Sequence, residues 1–148
     1  MLDIRYNAHG LSFQYSAGLR VSAFPRPGRG VNIKVEGTGK HGHMFGFVAM
    51  TYLEPLTPEK AFAQAVQGIE IVYNDPPAKI NKREPSRRAI AGIERTGERF
   101  EIEWDDHPVI ELYAFELNGR TLCVSLQYDS DEAAKANDIF GPILGTLA

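Results

Sequence analysis

Apolar and polar residues follow two periods along this chain, one of two residues and one of about 3.6, and the blocks they form are separated by Gly, Pro, Asn and Asp. Leu11, Phe13 and Tyr15 fall on one side of a short strand, and Ala17-Gly18 marks a turn before a second strand at Leu19-Arg20-Val21. Phe24-Pro25-Arg26-Pro27-Gly28-Arg29-Gly30 is loop chemistry, with prolines that lack donors and glycines that loosen the backbone. Val31, Ile33 and Val35 alternate with Asn32, Lys34 and Glu36, which predicts a half-buried strand. The run from Met44 to Leu53 is apolar on both sides, so it predicts an interior strand with Phe47 and Val48 buried on opposite faces.

Thr57-Pro58-Glu59 opens a helix: a threonine cap, a proline where its missing amide costs nothing, and an acid beside the positive end of the dipole. Phe62, Val66, Ile69 and Tyr73 form its apolar stripe, and Asn74-Asp75-Pro76-Pro77 ends it. Three strands are expected next, over Ala78 to Arg83, Ala89 to Arg95 and Arg99 to Trp104, the last two joined at Thr96-Gly97. From Val109 onward the pattern is clearest. Asn118-Gly119 between two apolar runs specifies a type I′ hairpin, in which Leu117 faces Arg120, Phe115 faces Leu122, Tyr113 faces Val124 and Glu111 faces Leu126. The opposite face carries Leu112, Ala114, Cys123 and Ser125, small enough to lie under a closely packed helix. Asp129-Ser130-Asp131-Glu132 matches a capping box, and Ala136, Ile139, Phe140, Ile143, Leu144 and Leu147 follow at helical spacing, with a kink or break expected at Gly141-Pro142.

Strands, helix, strands, helix, linked mostly by hairpins, is an α+β pattern: an antiparallel sheet with helices on both faces, a three-layer α/β/α sandwich. A length of 148 residues suits one domain, residues 1–148, and needs no covalent staple. The net charge of −3 and pI near 5.8 argue against a nucleic-acid binder. One cysteine excludes an internal disulfide and a cysteine zinc cluster. No apolar run approaches the length of a membrane span, so the chain is expected in the cytoplasm as it stands, or outside it if an export signal has been removed.

The chain resembles the Mog1/PsbP-like fold group, which includes the DcrB-like bacterial proteins. The resemblance rests on Leu11-Ser12-Phe13-Gln14-Tyr15-Ser16-Ala17-Gly18-Leu19-Arg20-Val21, similar to that group's F-x-Y-P-x-G-W-x-V opening, on Leu56-Thr57-Pro58-Glu59 at the first helix, and on the Asn-Gly hairpin followed by a closing helix. Ser16 stands where proline is usual and Leu19 where tryptophan is usual. The resemblance implies a non-enzymatic accessory or partner-binding domain without naming the partner; another protein is the expected partner, and no cofactor is expected.

Four stretches carry candidate chemistry. Gly37-x-Gly39-x-x-Gly42 has the letters of a dinucleotide fingerprint, yet the chemistry needs a helix after the glycines and a strand follows here, so a hairpin loop is expected. His41 and His43, two apart, project to one side of an extended segment and could share a metal, with His9 or the Asp105, Asp106 and His107 turn supplying a third ligand if folding brings it near. That same turn could tune a general base, which gives the alternative function: a small metal-dependent or carboxylate-assisted hydrolase using His41, His43 and the Asp105–His107 turn. Lys79, Lys82, Arg83, Arg87 and Arg88 form the most basic stretch, suited to an acidic partner or to guarding a sheet edge.

Overall fold

The computed structural model describes residues 3–40, 42–73, 79–104 and 108–148. The elements are β1 (Asp3–Ala8), β2 (Leu11–Ser16), β3 (Arg20–Arg26), β4 (Gly30–Thr38), β5 (Met44–Thr51), α1 (Pro58–Val72), β6 (Lys79–Ile90), β7 (Ile93–Glu103), β8 (Pro108–Leu117), β9 (Arg120–Asp129), a 3-10 turn (Ser130–Glu132) and α2 (Ala133–Thr146). β1 and β2 form a two-stranded ribbon, and the other seven strands form an antiparallel sheet in the order β3-β4-β5-β9-β8-β7-β6.

The β8–β9 hairpin has the register that its turn dictates. Asn118 and Gly119 both take positive φ, at 54° and 76°, and Leu117 pairs with Arg120, Phe115 with Leu122 and Tyr113 with Val124. Successive residues of β8 then belong to two different apolar clusters. Val109, Tyr113 and Phe115 pack with β2, β4, β5 and the α2 residues Phe140, Ile143 and Leu144. Ile110 and Leu112 pack with Phe100, Cys123, the α1 residues Phe62, Val66 and Ile69 and the α1 C-cap Tyr73, the stripe read from the sequence. Helix α1 starts as expected, with the Thr57 hydroxyl accepting from the Lys60 amide and Pro58 at its first position.

Several local expectations give way to longer-range contacts. Phe24 and Pro25 belong to β3 and not to a loop. Pro85 likewise lies within β6, which runs unbroken where two separate strands were expected. Both prolines sit on the two outermost strands of the sheet, where a missing donor leaves no ladder bond unmade. The β6–β7 turn is at Ala91-Gly92, with φ of 54° and 78°, and not at Thr96-Gly97. Alanine is a poor choice for that conformation, but its amide donates to the Leu144 carbonyl of α2 at 2.9 Å, so a tertiary contact holds the turn.

β5 is interior, between β4 and β9, and Phe47 is fully buried; Val48 is only half-buried, because α1 lies over β8 and β9 and leaves much of that side of β5 open. Helix α2 is continuous through Gly141-Pro142, with the Thr146 hydroxyl donating to the Pro142 carbonyl at 2.6 Å. No capping box forms at its start. The first turn is 3-10, and the Asp129 and Glu132 carboxylates make no cap bond because both face the β4–β5 loop. β1, unanticipated from its polar composition, pairs residue by residue with β2 and stacks Tyr6 on Phe13 at 4.9 Å.

Candidate functional site

The five cations of the basic stretch all lie on β6, an edge strand with open backbone groups along one side. Strand alternation divides them. Arg83 lies over the Phe100 ring at 5.0 Å, on the α1 side, with its Nε donating to Glu98 at 2.7 Å. Arg88 turns to the opposite side and into the protein. Lys79 pairs with Glu103 at 3.2 Å, Lys82 with Glu84 at 3.4 Å and Arg87 with Glu94 at 3.9 Å, all between largely exposed side chains. Beside Arg83 a groove of about 590 Å³ opens between the start of α1 and the β6–β7 pair, lined by Pro58, Phe62, Pro85, Thr96 and Glu98 among others.

Arg88 belongs to a buried polar cluster built around Glu111. Arg88 donates to it twice, through Nε at 2.6 Å and Nη2 at 2.8 Å, and the Tyr113 and Tyr128 hydroxyls donate at 2.6 Å each. Ser86 bridges Tyr113 and Glu111 at 2.7 and 3.3 Å. Burial by itself would push the Glu111 carboxyl up; the bonds from Arg88, Tyr113 and Tyr128 outweigh it and hold the group at about 2. The same pairing raises Arg88, so the two remain charged together. Tyr113 reaches this position by lying across Gly97, where an added Cβ would come within 2.5 Å of its ring. Every lone-pair direction of Glu111 is committed, which makes the cluster a scaffold for β6 and not a general base. The sequence carries one trace of it: Glu111 has the same strand parity as Tyr113 and Phe115, and an acid on an apolar face calls for a buried cation.

At the far end of β9, His43 Nδ1 lies 3.2 and 3.3 Å from the two carboxylate oxygens of Asp129. Glu132 accepts the Lys40 amide at 3.1 and 3.3 Å, and Lys40 Nζ meets Asp131 at 3.0 Å. Gly39 makes this possible, since a Cβ there would stand 2.5 Å from Glu132 Oε1. Carboxylate oxygens of Asp129, Asp131 and Glu132 come within 4.8 Å of one another and are the donors a cation would meet, but each already holds the β4–β5 loop. Of the three glycines, Gly37 is still within β4, paired with Phe45, while Gly39 and Gly42 lie in that loop, and a strand follows them, as expected of a hairpin.

His41, Asp105, Asp106 and His107 lie outside the described residues. Trp104 and Pro108, the described residues on either side of 105–107, line the same cavity of about 430 Å³ as His43 and Asp129. His9 lies elsewhere, in the β1–β2 turn beside Asn118 and Arg120 at the opposite end of β9. Among the described residues nothing supports the hydrolase alternative. Cys123 is buried, and burial pushes its thiol up to about 12, partly offset by Tyr52 and Arg26, so it behaves as a small apolar residue.

No family model and no curated protein matches the chain. Among solved structures, the solution structure of cyanobacterial PsbP (CyanoP) from Synechocystis sp. PCC 6803 is similar over 99% of this chain and 91% of that chain, with a TM-score of 0.54 and 13% sequence identity. The fold is PsbP-like, and at that identity the likeness is one of fold.

Proposed function

We propose that the chain is a non-enzymatic accessory domain that binds another protein along the β6 edge, on a three-layer scaffold with α1 on one face of the sheet and α2 with the β1–β2 ribbon on the other. The observation that carries this reading is the arrangement of Lys79, Lys82, Arg83 and Arg87 on an outermost strand, next to an open groove. Ion pairs between exposed groups contribute about 0 to 1 kcal/mol, so an acidic segment of a partner can displace Glu94 or Glu103 at little cost. Arg88 does not join in binding; it ties β6 to Glu111 and keeps the edge rigid. The PsbP-like fold supports an accessory role by analogy.

A photo-crosslinking residue at Arg87, in the organism that makes the protein, tests this. A discrete adduct is expected there, none from the same residue at Glu116, and loss of the adduct when Lys79, Lys82 and Arg83 are changed to Glu. Equal adducts at both positions, or an adduct unaffected by the charge reversal, would overturn the reading.

A further inference from the structure

A second groove lies on the α1 side of the sheet, away from β6. It has a volume of about 500 Å³ and runs between α1 and the β5–β9 pair, with Arg26 and Tyr52 at one end and Tyr73 and Gln127 at the other. That volume is in the range of roughly 300 to 1,000 Å³ typical of small-molecule sites. Its length follows from the strand register. From Tyr52 to Gly46, the partner of Gln127, is six residues, or about 20 Å at 3.4 Å per residue. The wall between the two ends is mainly apolar, with Met50, Ile69, Ile110 and Leu112 alongside the uncharged polar Gln64 and Ser125, and with Val72 left 67% exposed at the rim.

Two further observations say what this space accepts. The first is Gly68. It lies in the interior of α1, where glycine is destabilising relative to alanine, and an added Cβ would meet nothing within 4 Å. No local packing demands it; its effect is to keep the groove open along the helix. The second is Arg26. It has no carboxylate partner among the described residues, its Nε is buried without a hydrogen bond, and its remaining contacts are the Thr51 carbonyl and the face of Tyr52 at 5.0 Å. A cation held at the end of a mainly apolar trough, with no carboxylate partner among the described residues, selects a ligand that has one anionic end and a long apolar body.

We propose that this groove binds a small amphipathic anion, a monocarboxylate with an unbranched alkyl chain, its carboxylate next to Arg26 and its chain laid along α1 past Gly68. The site is independent of the β6 edge, so either assignment can fail without the other.

The experiment is titration calorimetry on the full chain with dodecanoate below its micelle concentration, and with dodecanol as the uncharged control. One saturable dodecanoate site is expected, with the alcohol bound about tenfold or more weakly, the discrimination one desolvated charge contact provides. Gly68→Leu fills the trough and removes dodecanoate binding while its melting temperature stays at or above that of the parent. Arg26→Gln removes the preference for acid over alcohol. Absence of saturable dodecanoate binding, undiminished binding by Gly68→Leu, or an acid preference that survives Arg26→Gln overturns the proposal. Should Arg26→Gln fail to fold, the Gly68→Leu result decides alone.

Discussion

Replacing Glu111 with glutamine keeps the side-chain shape and removes one buried charge. The loss can be sized from the site. Glu111 is 3% exposed and ionises at about 2 in place of 4.5. At 1.36 kcal/mol per pH unit, that difference favours the charged carboxylate by roughly 3 kcal/mol. Glutamine also leaves Arg88 without a counter-charge, and breaking a buried pair from one side costs about 3 to 5 kcal/mol. Glu111→Gln is therefore expected to lose about 3 kcal/mol or more in urea unfolding at pH 7. The pH dependence gives the sharper test. The folded-state pKa lies below the unfolded one, so the stabilisation is complete above about pH 4.5 and is lost as the pH falls towards 2. Other acids titrate in the same window, but they are common to both proteins, and the difference between parent and variant isolates Glu111. That difference should shrink steadily from pH 5 to pH 2.5. A loss under about 1 kcal/mol at pH 7 with unchanged m-value, or a difference that does not vary with pH, would refute the assignment of Glu111 as a charged anchor.

Phe115→Ala should cost about 3 to 5 kcal/mol by urea unfolding, since the ring is buried beneath the Arg95 guanidinium at 4.4 Å; a loss below about 1 kcal/mol would contradict the hairpin register. Gly97→Ala puts a methyl group 2.1 Å from the Leu112 carbonyl oxygen, so a loss of about 1 to 3 kcal/mol or more is expected, and a neutral result would show that Tyr113 does not cross that strand. Gly68→Ala, with open space around its Cβ, should instead gain about 0.5 to 1 kcal/mol by the same measurement. Zinc, nickel and manganese should shift the melting temperature of the parent and of a His41→Ala, His43→Ala variant equally, because Asp129, Asp131 and Glu132 already hold the β4–β5 loop; a rise of several degrees confined to the parent would establish a metal site.

What the chain specified locally is legible in its residues. Asn118-Gly119 needs no distant contact to adopt two positive φ values, and a two-residue turn then sets every pair of the β8–β9 ladder. Thr57-Pro58 works in the same way, through a hydroxyl and an amide three residues apart. The side-chain alternation on β8 and β9 therefore foretold that both faces of the hairpin are apolar and packed. The remaining features depend on partners far along the chain. Ala91 turns because an α2 carbonyl, 53 residues later at Leu144, accepts its amide. Glu132 and Asp129 have the spacing of a cap, but their carboxylates are taken by a loop about 90 residues earlier. β1 and the single long β6 exist because β2 and β7 offer ladders to segments whose own composition is mostly polar. Arg88 was one of five cations in a basic stretch, and only the sheet, which sets it against Glu111, separates it from the four that face solvent. Short-range geometry can be read from neighbours in sequence; a polar group's partner can be read only when the fold has decided which groups lose water together.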